Sequence, residues 1–130
     1  MSFSQKVTMM KNKELIENYY KDVFINGNVD KIPHYVAENY IQHNPQVEDG
    51  QAGFIKFFKG FIKTKPKLDI INISCEADMV YVFYKCSLPD GTVNKVCDIY
   101  RVEGNKIVEH WDVIESHVEK VKSVNKNSLF

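Results

Sequence analysis

The chain has 130 residues, 44% hydrophobic and 26% charged, and its seventeen basic and seventeen acidic side chains cancel. That length predicts one domain with room for a real core, and the charge balance gives no electrostatic argument for nucleic acid or an anionic membrane. No stretch approaches the roughly 20 apolar residues of a membrane span, and the opening MSFSQKVTMM lacks the apolar run of a secretory signal. Cys75, Cys86 and Cys97 form no C-x-x-C pair. They read as small buried or interfacial residues in a reducing, cytoplasmic compartment.

Residues 10–26 carry Leu15, Ile16, Tyr19, Tyr20, Val23 and Phe24, the i, i+3, i+4 spacing of an amphipathic helix closed by Gly27. A shorter helix starts at Asn28 or Asp30, is broken or kinked near Pro33 and runs to about Ala37. "NYIQHNP" (39–45) is an extended exit stopped by Pro45, and "EDGQAG" (48–53) is a loop leading into a second apolar helix over 51–63, ended by Pro66. Lys56, Lys59, Lys63, Lys65 and Lys67 mark its solvated face and exit.

From residue 68 the period changes. LDIINISCE (68–76), MVYVFYKCSL (79–88), TVNKVCDIYRVE (92–103) and KIVEHWDVIES (106–116) read as strands, separated by "EAD", "PDG" and "GN" turns. Four successive strands with short turns predict an antiparallel meander, and helices followed by strands make the class α+β. One sheet face lies under the helices. The other also carries apolar residues, which implies a second covering layer. The stretch 117–130 is polar and without period, a tail expected to be mobile or loosely docked to a single domain over 1–116.

"EHWDVIE" (109–115) sets two ionisable residues at one strand parity. Val108, His110, Asp112 and Ile114 share one face, with Ile107, Glu109, Trp111, Val113 and Glu115 on the other. On the preceding strand Val96, Asp98, Tyr100 and Val102 oppose Cys97, Ile99 and Arg101. Pairing across Gly104–Asn105 matches residue numbers summing to about 209, or one more or less with a bulge; a sum of 210 sets Asp98 opposite Asp112 and Tyr100 opposite His110. A one-residue slip would turn His110 and Asp112 outward and bring Trp111 in.

"YIQHNP" (40–45), "DGQAGFIKFF" (49–58) and "DIYRVEGNKIVEHWDVIE" (98–115), in this order and spacing, resemble the SnoaL-like polyketide cyclase family of the NTF2-like superfamily over about residues 10–116. The resemblance implies a cone-like α+β barrel: a curved antiparallel sheet wrapped on helices, with a pocket between them and dimers joined through the outer sheet face. It turns Asp98, His110, Asp112 and Tyr100 into that pocket and leaves Trp111, Ile99 and Val113 for a dimer seam. Fold alone does not fix chemistry.

The resemblance points to a cofactor-free cyclase or isomerase acting on a small apolar or aromatic ligand. Asp112 is the first choice for the acid–base group, Asp98 the second, and His110 or Tyr100 the donor to a developing oxyanion. His43 is placed at the pocket rim beside Gln42. Tyr40, Phe54, Phe58, Tyr81 and Phe83 are wall candidates, with core packing as their default role; Lys85 shares the parity of Phe83. Three alternatives stay open. The polar cluster fixes register only; the domain is a non-catalytic ligand-binding or dimerising module; or His43, His110 and Asp112 form a two-histidine, one-carboxylate metal set. No metal is the favoured expectation.

Overall fold

The computed structural model describes all 130 residues. Helix α1 spans Phe3–Tyr19 and starts well before the predicted residue 10. Its start is set by a capping box: Ser2 Oγ accepts the Gln5 N–H at 3.1 Å, and Gln5 Oε1 accepts the Ser2 N–H at 2.7 Å. Residues 3–11 are mostly solvated and so carry no apolar period. Beyond Tyr19 the helix widens into a π-helical segment, Tyr20–Ile25, with the Asn26 N–H donating to the Lys21 carbonyl at 3.0 Å. Ile16, Tyr19, Tyr20 and Val23 are buried along this element.

A single 3-10 turn (Val29–Lys31) and the short helix α2 (Ile32–Tyr35), with Pro33 in its first turn, lead to strand β1, Val36–Gln42. β1 begins earlier than the expected extended exit because Val36 and Tyr40 both bury into the core. Helix α3 (Gly50–Phe61) is anchored at its start, where Asp49 Oδ1 accepts the Gln42 N–H at 2.7 Å. Gly53 is required there: a Cβ would lie 2.2 Å from the Glu48 carbonyl oxygen.

Strands β2 (Lys67–Glu76), β3 (Met79–Ser87), β4 (Val93–Glu103) and β5 (Lys106–Glu115) form the predicted meander. The fifth strand was not foreseen. β1 pairs in parallel with β5, giving the order β1-β5-β4-β3-β2. The curved sheet therefore stays open, with β1 and β2 as its edges. No helix is long and apolar enough to cross a membrane.

The β4–β5 hairpin turns at Gly104 and Asn105, both with positive φ (53° and 61°), as a type I′ turn needs. Next to the turn Glu103 faces Lys106 and Val102 faces Ile107; one step on, Arg101 faces Glu109. Val108 is thus the extra residue of a bulge. Beyond it Tyr100 faces His110 and Asp98 faces Asp112, the register expected from the sequence. The bulge corrects the strict alternation on one point: Ile107 is fully buried on the inner side and does not share the face of Trp111.

The inner sheet face carries Val80, Val82, Tyr84, Cys86, Val96, Asp98, Tyr100 and Val102, all buried. Tyr81, Phe83 and Lys85 alternate with them and point outward, on the side of Cys97, Ile99, Trp111 and Val113. The last residues, exposed over 119–128, touch the sheet at a few points. Val118 is buried, Glu119 accepts the Val93 N–H at 3.1 Å, and the Phe130 ring stacks on Phe83 at 6.1 Å with Lys85 Nζ 5.5 Å from its centroid.

An ionic chain, Asp78–Arg101–Glu109–His43, also lies on the outer face, with the His43 ring stacked 4.8 Å from Trp111. The hydrogen bond from His43, and then Arg101, hold the Glu109 carboxyl below its usual range against the cost of partial burial. A lowered carboxyl stabilises the fold above its unfolded value and loses that contribution as pH falls. Glu109→Gln is expected to lower the melting temperature at pH 7, with the gap closing as pH drops through about 4. A gap unchanged from pH 7 to pH 3 would show that the pairing contributes nothing.

Candidate functional site

Asp98 sits on the inner face of β4 and is 4% exposed. Burying a carboxylate is costly unless donors surround it. Three do. His110 Nε2 lies 2.9 Å from Oδ1, while the Tyr20 hydroxyl and, at 3.3 Å, the Tyr100 hydroxyl donate to Oδ2. The two phenol oxygens are 2.6 Å apart. Burial first, and then the charge of Asp98, push the Tyr20 and Tyr100 hydroxyls well above the ordinary phenol range, so both remain protonated donors. The same two causes push the Cys86 thiol up to about 11, which leaves it an inert core residue.

His110 is 7% exposed, and its second nitrogen fixes its tautomer. Nδ1 lies 2.7 Å from Gln42 Oε1. That atom is the amide oxygen, because the Asn44 backbone N–H donates to it at 2.9 Å. Nδ1 must therefore carry a proton. The 2.9 Å contact between Nε2 and Asp98 then holds one further proton, whichever atom carries it.

Asp112 differs. Its Oδ2 accepts from Asn44 Nδ2 at 2.7 Å and lies 3.8 Å from His110 Nε2, whereas Oδ1 has no protein partner. The three residues form the floor of a cavity of about 110 Å³. Tyr40, Phe54, Tyr84 and Phe24 wall it, and the exposed Phe57 and Ile114 stand on its open side.

Of the residues singled out from sequence, Asp98, His110, Asp112, Tyr100, Tyr40 and Phe54 are brought together around this cavity. Four are not. Tyr81 and Phe83 point to the opposite sheet face, because β3 buries the parity of Val82 and Tyr84. His43 shares the outer parity of Ile41 and stacks on Trp111. Phe58 is fully buried among Phe24, Phe54 and Phe61 and is core.

Tyr20, Asn44 and Tyr84 were missed. For Asn44 the signal was present: Tyr40, Gln42 and Asn44 alternate with His43 along one extended segment. Asp98, His110 and Asp112 also offer one nitrogen and two carboxylate oxygens within 4.8 Å of one another, a set able to hold a divalent ion. The set with His43 is not assembled. An ion and the His110–Asp98 proton are mutually exclusive in that gap.

Tyr20→Phe keeps the ring stacked on Phe24 (4.7 Å) but removes a donor from a buried carboxylate. It is expected to cost about 1–3 kcal/mol in urea unfolding. Unchanged stability would mean that Asp98 does not depend on this bond.

The family model of the SnoaL-like domain matches residues 16–110. No curated protein matches the chain in sequence. Among solved structures, a candidate polyketide cyclase from Acidithiobacillus ferrooxidans is 21% identical with a TM-score of 0.68, covering 88% of this chain and 92% of its own. A candidate ketosteroid isomerase from Kribbella flavida is 14% identical with a TM-score of 0.74, the coverages being 91% and 93%. SalBIII, an epoxide hydrolase/cyclase-like enzyme with a role in pyran ring formation in the polyether salinomycin, is 20% identical with a TM-score of 0.69, covering 82% and 92%. At such identities these similarities establish the fold. With most of its length inside the family match, from the first buried stripe of α1 to His110, the chain belongs to the SnoaL-like domain family.

Proposed function

We propose that the domain binds a small, largely apolar or aromatic ligand in the cavity and acts on it as an acid–base cyclase or isomerase without a cofactor. One observation carries the reading: the unpartnered Oδ1 of Asp112, beside the His110–Asp98 pair, in a cavity walled by aromatic rings. The similar structures described as a cyclase and as an isomerase agree with this reaction class.

In the step proposed, Asp112 Oδ1 takes a proton from a carbon next to a carbonyl, and the electron pair moves onto the carbonyl oxygen. The second N–H of Asn44 Nδ2 then donates to the oxyanion, since His110 Nε2, the donor expected from sequence, is held by Asp98. Asp98 holds the His110 ring and balances its charge. Tyr100, the other donor expected from sequence, is already engaged with Asp98 and Tyr20. The cavity is smaller than the roughly 150 Å³ that admits benzene. A larger ligand therefore enters by rotation of Phe57 and Phe61, which stack 5.6 Å apart on its lining.

The test is deuterium exchange next to the carbonyl of small aryl ketones in heavy water. Asp112→Asn is expected to lower the exchange rate by about 10²–10⁴-fold, with ligand affinity and fold retained. Full exchange activity in the variant would defeat the proposal. The rival reading, a binding module whose polar cluster is structural, is favoured by the absence of any unsatisfied buried polar side-chain atom. Under that reading the substitution moves only the melting temperature.

We also propose a homodimer through the outer sheet face, supported by Trp111, Ile99 and the 67%-exposed Val113 lying together there. Light scattering at micromolar concentration should give twice the 15.1 kDa chain mass, and Val113→Asp should return it to the monomer value. A monomeric parent protein would refute the dimer.

A further inference from the structure

The buried stripe of α1 reads Asn12, Ile16, Tyr19. At the first of these positions an aliphatic residue would extend the core, yet a carboxamide stands there at 7% exposure. Its side chain makes no hydrogen bond within the protein, while no fully buried polar side-chain atom lacks a partner. The amide atoms therefore open onto the one space beside them. That space is a groove of about 970 Å³ between α1 and the tips of the β2–β3 and β4–β5 hairpins, separate from the Asp112 cavity.

The groove has a defined chemistry. Asn12 offers a donor and an acceptor side by side at its base, the complement of a peptide bond. Glu76 and Glu103, one from each hairpin, line it without an ion-pair partner, and Asp78 is neutralised by Arg101; the two ammonium groups, Lys11 and the Met1 terminus, belong to the α1 side. The hairpin side of the groove thus presents two free carboxylates.

We propose that this groove is a binding site for an extended peptide segment carrying lysine or arginine, with its backbone amide paired to Asn12 and its cationic side chains on Glu76 and Glu103. Keeping a polar residue on a buried helix stripe costs stability, and recognition of a ligand amide is the return. The rim carboxylates add selectivity for positive charge more than affinity.

The experiment is an amide NMR titration of the full chain with acetyl-Ala-Lys-Ala-Lys-Ala-amide, with an all-alanine peptide and spermidine as comparisons. The lysine peptide should give saturable shifts at the Asn12 side-chain amide and at Ala77 and Gly104. Asn12→Leu should weaken binding at least tenfold while raising the melting temperature, a pairing that a merely structural role would not produce. Glu103→Gln, an exposed change that leaves folding intact, should weaken the lysine peptide several-fold without affecting the alanine peptide. No saturable shift at millimolar peptide, undiminished binding in both variants, or spermidine matching the peptide would each overturn the proposal.

Discussion

A carboxylate buried on the concave side of a sheet must be met by hydrogen-bond donors, and much of this molecule is arranged around Asp98. Its partners come from separate parts of the chain: Tyr20 from the widened end of α1, Tyr100 from β4 itself, and His110 from β5, which Gln42 of β1 orients in turn. The helix, the hairpin and the parallel edge strand are thereby held in one register. A slip of β5 by one residue would lose His110 and leave the carboxylate short of a donor in a low-dielectric site. The asymmetry between the two aspartates has the same origin. Asp98 consumes the available donors, so Asp112 keeps an oxygen open to the cavity.

Two local irregularities make the arrangement possible. The Val108 bulge lets one strand bury Ile107 near the turn and still aim His110 and Asp112 inward farther along. The π-helical segment lets the neighbouring residues Tyr19 and Tyr20 both be buried, with the Tyr20 hydroxyl reaching Asp98. Each inserts a small departure from ideal geometry where the cavity's polar side chains are gathered.

The hairpin was legible because its signals agree. A Gly–Asn turn demands positive φ, and strict alternation in 96–102 names the inner face. The inward face of β3 was not legible, since Val80, Tyr81, Val82, Phe83 and Tyr84 are apolar at every position and alternation carries no information where both faces are covered. The resemblance put His43 at the pocket rim, whereas it shares the parity of Ile41, which the β1–β5 pairing sets beside Glu109 on the outer face. The true start of α1 was hidden for a different reason. It rests on a cap and on exposed residues, neither of which leaves an apolar period. The parallel pairing of β1 with β5 is a long-range contact that no local pattern encodes.

Phe130 reaches back across the convex surface to stack on Phe83 beneath Lys85. Because it is tethered to the sheet it covers, its ring competes there at an effective concentration of roughly the millimolar order. A free surface at micromolar levels displaces it only by making more contact than a single ring provides. Elsewhere on that face His43 stacks on Trp111, but Val113 has no such internal competitor. The tether thus partitions the outer face into a reserved part and an available part, and it biases any association toward the end of β5 that carries Val113.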